Sequence, residues 1–273
     1  MTRADIDAIG ATSLMTAQLR AWEDERPDRI AEDPWAAVFV ATAGRGLPPR
    51  AEDFVAHMRE QVAVRTRVLD DAVLAAARAG ADQVVVVAAG MDSRAFRLDW
   101  PAGTTVYEVD QAGVLAVKDA VLAEHGAVAR CTRRAVGADL RGDWTAALRA
   151  AGFDPSRPTT WLAEGLLYSL DEAAAEALLG TITAAGGPGS TLAFDHIEAA
   201  PDFVRALEKI GPDLAALWRS GPRDPDAWLR RHDWTPRVSE LAEHASRFGR
   251  PVHPSVDPTH PGAAHSWLVT AER

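Results

Sequence analysis

Two charged residues interrupt apolar segments of the chain. Arg65 has Val62, Val68 and Leu69 three or four positions away on a predicted helix, which places its guanidinium on the apolar stripe. Glu164 interrupts the string WLAEGLLY at the predicted end of a buried strand. Because a buried charge is costly without a partner, the two would suit the carboxylate and ammonium of an amino-acid ligand. An internal ion pair or a snorkelling side chain for Arg65, and a capping role for Glu164, are the alternatives.

A glycine and an acidic residue follow two neighbouring apolar runs. The run QVVVVAAG breaks at Gly90, and the run TTVYEVD ends at Asp110, about 20 residues later, as in sites that hold an adenosine ribose. The spaced glycines of a dinucleotide site and the GxxxxGK[ST] phosphate loop are both missing. A phosphate-free nucleoside cofactor therefore fits better, and S-adenosylmethionine is the common one. That Gly90 only ends a strand is the alternative.

Other polar residues at strand ends are weaker candidates. Asp139 and Leu140 follow the third predicted strand, where a carboxylate could accept from an adenine amino group beside an apolar neighbour. Asp195 and His196 end the fifth strand and could face a substrate, yet adjacent strand residues point to opposite faces and cannot form a simple dyad. These two and Tyr168 are only weak catalytic candidates, and the catalytic residue stays unknown.

Composition excludes several classes of protein. The net charge of −10 over 273 residues argues against nucleic-acid binding. The arginines alternate with acidic residues, which predicts solvated helix faces. Cys131 is the sole cysteine, and His253, His260 and His265 lack metal-ligand spacing, so no metal site is expected. No apolar stretch is long enough to span a membrane, and we expect a cytoplasmic protein.

The order of predicted elements favours an α/β fold of Rossmann-like type, with a mainly parallel seven-stranded sheet. The predicted strands, separated mainly by helices, are 83–89, 104–110, 132–138, 159–164, 190–196, 234–239 and 265–271. The chain is expected to be one domain with four segments: an N-terminal helical cover (1–53), a cofactor-binding core (54–197), a helical cap insertion (198–232) and C-terminal strands (233–273).

Several strings resemble the leucine carboxyl methyltransferase family, and most closely its bacterial branch of S-adenosylmethionine-dependent methyltransferases. They are VAVRTRVLDDAV, QVVVVAAGMDSRAFRLDWP, TTVYEVDQAGVLAVK, ADLRGDW and GFDPSRPTTWLAEGLL, in order from about residue 10 to 197. The chain departs from the family where EGLLMYL becomes EGLLYSL, which shifts Tyr168 by one position, and where DQP becomes DQA. The region after residue 199 matches little.

The resemblance implies a class I methyltransferase fold and a role for each matched residue. By resemblance, the residues that bind S-adenosylmethionine are Arg65 (carboxylate), Ala89 and Gly90 (methionine and ribose), Asp110 and Gln111 (ribose hydroxyls), Asp139 and Leu140 (adenine) and Glu164 (ammonium).

The expected function is O-methylation of a small-molecule carboxylate, with secondary metabolism as the expected setting. A carboxylate is already ionised at neutral pH and needs no general base, in keeping with the lack of a convincing one. A hydroxyl or phenol acceptor, with Asp195 or His196 as its base, is one alternative, and a non-catalytic S-adenosylmethionine-binding protein is another. A dinucleotide-dependent oxidoreductase is the least favoured alternative. The sequence predicts neither the acceptor's identity nor the oligomeric state.

Overall fold

Seven strands form one sheet in the computed structural model, which describes residues 8–43, 52–198, 200–209, 215–216, 218–219 and 222–273. The strands are β1 (Gln83–Val87), β2 (Thr105–Asp110), β3 (Thr132–Gly137), β4 (Thr159–Ala163), β5 (Thr191–Ile197), β6 (Thr235–Glu240) and β7 (Ser266–Glu272). Their order is β3-β2-β1-β4-β5-β7-β6. The first five strands pair in parallel, whereas β7 is antiparallel to both β5 and β6. The predicted α/β fold is confirmed, with each strand end within two residues of its expected position.

Helices cover both faces of this sheet. They are α1 (Ala8–Asp24), α2 (Ala36–Ala43), α3 (Glu52–Arg78), α4 (Arg94–Arg97), α5 (Ala112–Glu124), α6 (Trp144–Ala150), α7 (Glu172–Ala185), α8 (Pro201–Glu208), α9 (Pro225–Arg230) and α10 (Leu241–Arg247). Side chains from α1 to α5 share a core cluster on one face. Side chains from α6, α7 and α9 share the cluster on the other.

The central strands are apolar because both of their faces are covered. Every residue of β1 (QVVVV) and β4 (TTWLA) is buried. A strand with only one covered face would alternate apolar with polar residues instead. The edge strand β3 is largely exposed. The carboxyl ends of β1, β2, β4 and β5 therefore meet at one edge of a rigid, buried sheet.

The predicted division of the chain falls partly on residues outside the described ranges. Residues 1–7 and 44–51, and much of 210–221, are among these. The segment boundaries at 53, 197 and 232 therefore stay predictions. No helix within the described ranges is both long and apolar enough to cross a membrane.

Candidate functional site

The chain turns sharply after β1, and two features of the turn require glycine at position 90. Gly90 has a φ of +46°, in the left-handed region. A Cβ at this position would lie 2.8 Å from the Cβ of Ser13, because α1 crosses directly over the turn. The backbone N–H of Gly90 donates to Oδ2 of Asp110 at 2.7 Å, and the other oxygen of Asp110 accepts from the N–H of Gln111 at 2.7 Å. The ends of β1 and β2 are thus joined through the buried Asp110 carboxylate, with Ala89 buried beside the turn.

Glu164, directly after β4, is surrounded by three guanidinium groups. Its Oε1 accepts from Nη2 of Arg20 at 2.6 Å and from Nε of Arg65 at 2.8 Å. Its Oε2 lies 2.7 Å from Nη1 of Arg94. Burial, the largest effect, raises the pKa of Glu164, but the combined attraction of the three arginines holds that pKa well below its ordinary value. Glu164 is therefore a buried, ionised carboxylate.

Arg65 bridges Glu164 to a second carboxylate. Its Nη1 donates to Oδ2 of Asp195 at 3.1 Å, and Oδ1 of Asp195 accepts from the N–H of Gly165 at 2.6 Å. The internal ion pair offered above as an alternative for Arg65 is therefore present. The structure brings Arg65 and Glu164 together and adds Asp195 to them. That Arg65 and Glu164 hold the charges of a bound amino acid stays a prediction. Burial raises the pKa of Asp195, although Arg65 opposes that shift.

The expectation that the arginines lie on solvated helix faces is wrong for this part of the molecule. Arg94 is fully buried, and its Nε donates to Oδ1 of Asp70 at 2.7 Å. The spacing of α3 offers both Asp70 and Asp71 to Arg67, and Arg67 pairs with Asp71 at the surface, at 2.8 Å. Asp70 lies on the buried side of α3, facing α4, and so its partners come from α4.

Sequence reasoning did not identify the residues that surround Glu164 on the side away from Arg65. Arg20 reaches it from α1, and Arg94 reaches it while also contacting Asp92. The contacts of Glu164 join residues as much as 144 positions apart, which no local pattern reveals. The string GMDSRAFRL, in which a polar turn follows the buried strand β1, was the one available signal.

The buried charges suit a cationic cofactor. The connected ionic group consists of Arg20, Arg65, Arg94 and Arg97 together with Asp33, Asp70, Asp92, Glu164 and Asp195. With every member ionised, it carries one more negative than positive charge. S-adenosylmethionine has a sulfonium, an ammonium and a carboxylate, so its net charge is +1. The residues fit this cofactor in three respects: their net charge, the glycine turn covered by α1, and the carboxylate of Asp110.

Asp139 and Leu140 lie at the same sheet edge but in a more open position. The β3 end lies beside Asp110, since the N–H of Ala138 donates to the Asp110 carbonyl at 2.9 Å. Leu140 is half-buried against the core. Asp139 is exposed and accepts four hydrogen bonds of 2.5 to 3.1 Å from the side chain and backbone of Arg141, which lower the pKa of Asp139 to about 2. The structure thus groups Asp139 with Asp110, separately from the pair of Arg65 and Glu164.

A pocket lies next to the Arg65 end of the ionic group. Its apolar walls come from α1, α3, α10 and the segment after α8, and they include Met15, Met58, Val62, Trp218 and Leu241. Its polar lining residues are Thr16, Gln61, Arg65, Tyr168, Asp195 and Ser266. A mainly apolar lining with a few polar groups is typical of small-molecule sites, but the interior volume of about 20 Å³ holds about one water molecule, so a larger ligand requires the walls to move apart.

The three weak catalytic candidates are divided between the two faces of the sheet. Asp195 and Tyr168 line the pocket. His196 points to the opposite face and stacks on Trp267, with ring centroids 5.8 Å apart. Burial lowers the pKa of His196 to about 4, and its Nδ1 has no hydrogen-bond partner among the described residues. The prediction that Asp195 and His196 cannot form a dyad agrees with this placement.

Tyr168 lines the pocket beside Arg65. Its ring stacks in parallel on Trp218, with centroids 4.3 Å apart. A Cβ on Gly165 would lie 3.2 Å from the hydroxyl of Tyr168 and 3.8 Å from Nη1 of Arg65, so the two groups share one small space. Burial raises the pKa of Tyr168 to about 12, which keeps the hydroxyl protonated near neutral pH.

Comparison with known proteins gives consistent matches. The family model for leucine carboxyl methyltransferases matches residues 13–183. A protein of Parafrankia sp. (strain EAN1pec), named as an S-adenosyl-L-methionine-dependent methyltransferase, is 43% identical over 276 residues and covers 97% of this chain and 87% of its own. A protein of Rhodococcus jostii (strain RHA1) with the same description is 44% identical, covering 90% of each chain. A crystal structure described as a methyltransferase from Thermobifida fusca YX has a TM-score of 0.56 at 19% identity, covering 96% of this chain and 94% of that one, and shows the shared fold.

Proposed function

Because the chain belongs to the leucine carboxyl methyltransferase family, we propose that it transfers the methyl group of S-adenosylmethionine to the carboxylate of a small, apolar acid. Family membership makes the chain an S-adenosylmethionine-dependent methyltransferase. The acceptor and the position of methylation are our proposal. When bound, the cofactor supplies an activated methyl group on a sulfonium. The chain itself has to bind the cofactor and the acceptor, align their reacting atoms and exclude water.

One observation carries the proposal: no described residue that lines the pocket is an unengaged base. Both oxygens of Asp195 already accept hydrogen bonds, and the pKa of Tyr168 is about 12. His196 faces the other side of the sheet. An acceptor that needs no deprotonation, which a carboxylate is at neutral pH, suits this arrangement.

The cofactor is proposed to lie across the ends of β1, β2 and β4. Asp110 would take its ribose hydroxyls beside Gly90, Ala89 and Gln111. Arg65 and Glu164 would take the carboxylate and ammonium of its methionine part. The adenine would then lie toward β3, at Asp139 and Leu140. The connected charges support the methionine end of this assignment, because Arg65 and Glu164 are in contact at 2.8 Å.

One observation favours a second acceptor class. Asp195 lines the pocket and its pKa is raised by burial, so a bound hydroxyl or phenol would find a stronger base there than an ordinary aspartate. The rate of that reaction would depend on pH, because Asp195 must be ionised to act as the base. The rate of methylation of a carboxylate would not depend on the ionisation of Asp195.

The test incubates the protein with S-adenosylmethionine and a panel of apolar carboxylic acids, and in parallel with the corresponding primary alcohols and phenols. Methyl esters and S-adenosylhomocysteine are measured by mass spectrometry. We expect esters from the acids only, and a kcat/KM that is level between about pH 6 and 9 in both the natural protein and Asp195→Asn. Methyl ethers that vanish in Asp195→Asn would favour the second class. Binding of S-adenosylmethionine by calorimetry with no product from any compound would favour a protein without turnover.

A further inference from the structure

Trp218 is the residue of the cap region that the structure joins most firmly to the pocket. The backbone N–H of Arg219 donates to the carbonyl of Tyr168 at 2.8 Å, which ties this segment to the end of β4. The indole of Trp218 stacks on Tyr168, and Phe203 packs edge-on against it with centroids 5.6 Å apart. Trp218 is 8% exposed. Its indole ring is therefore held in one position at the pocket wall.

The indole N–H of Trp218 is buried and has no hydrogen-bond partner within the described part of the chain. A buried donor without an acceptor is costly, and native structures rarely leave one so. Trp218 also lines the pocket. An acceptor atom on the bound molecule would satisfy this N–H.

From this we infer the class of the methyl acceptor: an apolar carboxylic acid that carries a second, uncharged oxygen, such as a ketone, ester or ether oxygen, that accepts from Trp218. The inference rests on the proposed function, because the first oxygen pair is the carboxylate that receives the methyl group. Trp218 thereby becomes a specificity-determining residue of the cap.

Charge determines that the second oxygen is neutral. The carboxylate that receives the methyl group would face the sulfonium of the cofactor. Among the described residues of the lining, the one cation is Arg65, which already faces Asp195 at 3.1 Å and is assigned to the cofactor's carboxylate. A second carboxylate on the ligand would be buried with no counter-charge, which is far more costly than a neutral oxygen. The apolar body follows from the walls, which include Met15, Met58 and Leu241.

The test compares matched acids that differ by one ketone: phenylacetic with benzoylformic acid, and phenylbutyric with benzoylpropionic acid. The ketone is adjacent to the carboxyl group in the first pair and two methylene groups away from it in the second. We measure kcat/KM for ester formation, and we measure the dissociation constant by calorimetry with S-adenosylhomocysteine present. In at least one pair, the keto acid should be favoured by about tenfold in both quantities, the effect of satisfying one buried donor.

The variant Trp218→Phe keeps an aromatic ring but removes the N–H, and should abolish the keto preference, measured as the ratio of kcat/KM for the keto acid to kcat/KM for the simple acid in the same variant. Trp161→Phe is the matched control. The N–H of Trp161 is also buried without a partner in the described chain, but Trp161 packs against Trp144 in the core and does not line the pocket. It should retain the keto preference.

The two ways of failing are distinct. If no acid of the panel yields an ester or binds, the proposed function is overturned together with the inference. If acids are methylated but neither keto acid is preferred, or if Trp218→Phe keeps the preference, the inference alone is overturned. Melting temperatures of both variants identify any loss of folding, and the binding measurement is then compared among folded proteins only.

Discussion

At the scale of single residues, Glu164 determines how the charges of the site are arranged. Its carboxylate is the common partner of Arg20, Arg65 and Arg94, and all four side chains are nearly inaccessible to solvent. Buried ion pairs add little to stability when compared with apolar packing, but removing one partner is strongly destabilising because an uncompensated charge remains. Removing the charge of Glu164 would leave three buried guanidiniums with fewer partners.

We therefore expect Glu164→Gln to lower the free energy of unfolding by about 3–5 kcal/mol, measured by urea denaturation. Affinity for S-adenosylmethionine should fall at least tenfold by calorimetry, since the amide cannot balance an ammonium. Glu124→Gln, which changes an exposed residue at the end of α5, is the control and should stay within about 0.5 kcal/mol. If Glu164→Gln keeps the free energy of unfolding of the natural protein, the three arginines do not depend on this carboxylate.

At this scale, a site residue could be predicted from the sequence only where its charge differs from the apolar residues around it. Arg65 and Glu164 could be found because each stands as a charge within an apolar segment. Arg20 and Asp70 could not, because each has other charged residues close by in the sequence and neither stands out as a lone charge in an apolar segment. Their burial is caused by tertiary contacts with Glu164 and with α4, respectively.

At the scale of elements, the turn after β1 and helix α1 must fit each other closely. Gly90 needs its left-handed backbone for the turn and its missing Cβ for the contact with Ser13. These two needs are separable. Gly103 has a φ of +88°, yet a Cβ there would meet no atom within 4 Å.

Gly90→Ala should therefore cost more than Gly103→Ala. Both variants bear backbone strain of about 1–3 kcal/mol, but only Gly90→Ala also pushes α1 away from the turn. We expect a larger fall in melting temperature and a loss of S-adenosylmethionine binding in Gly90→Ala alone. Equal destabilisation with binding retained in both would mean that α1 adjusts freely and that its contact with the turn is unimportant.

Strand β5 directs the side chain of Asp195 to the pocket and that of His196 to the opposite face of the sheet. The folded protein holds the pKa of His196 at about 4, against an ordinary value of 6.5. Between these values the unfolded chain binds a proton that the folded chain does not, so stability falls as the pH is lowered.

Urea denaturation should show that wild-type protein loses about 2 kcal/mol more than His196→Phe between about pH 7 and pH 5. Between about pH 7 and pH 8 the free energies of unfolding of the two proteins should change in parallel, because His196 is then neutral in both the folded and the unfolded state. A pH dependence that is identical in the variant would show that His196 is solvated, or becomes protonated at little cost, in the folded protein.

The elements themselves were largely predictable. Strands buried on both faces read as near-continuous apolar runs, and β1 and β4 show this pattern clearly. The region after β5 was not predictable in the same detail. Its prolines and mixed polarity indicate helices and turns, but the position of Trp218 depends on stacking with Tyr168, a contact across 50 residues that no periodicity reports.

At the scale of the whole molecule, the N-terminal helix is fastened to the C-terminal part by a second buried ionic group. Arg250, after α10, donates to Glu23 of α1 at 2.6 Å and to Glu60 of α3 at 3.0 Å. It also donates to the carbonyl of Asp28 at 2.8 Å. Helix α1 carries Ser13 and Arg20 as well, so we expect the order of the proposed cofactor site to depend on this contact, which joins residues more than 200 positions apart.

The variant Arg250→Met should loosen that fastening without touching the site. It keeps the apolar length of the side chain but leaves Glu23 and Glu60 buried with less compensation, which should cost about 3 kcal/mol in urea denaturation. Limited proteolysis should then cut within α1 faster than in wild type, and affinity for S-adenosylmethionine should fall because Arg20 is no longer held over Glu164. Arg230→Met is the matched control, since its ion pair with Asp226 is exposed and such pairs contribute at most about 1 kcal/mol. If Arg250→Met is destabilised but α1 is cut no faster and cofactor affinity is kept, then α1 is held by the site itself and the two ionic groups act independently.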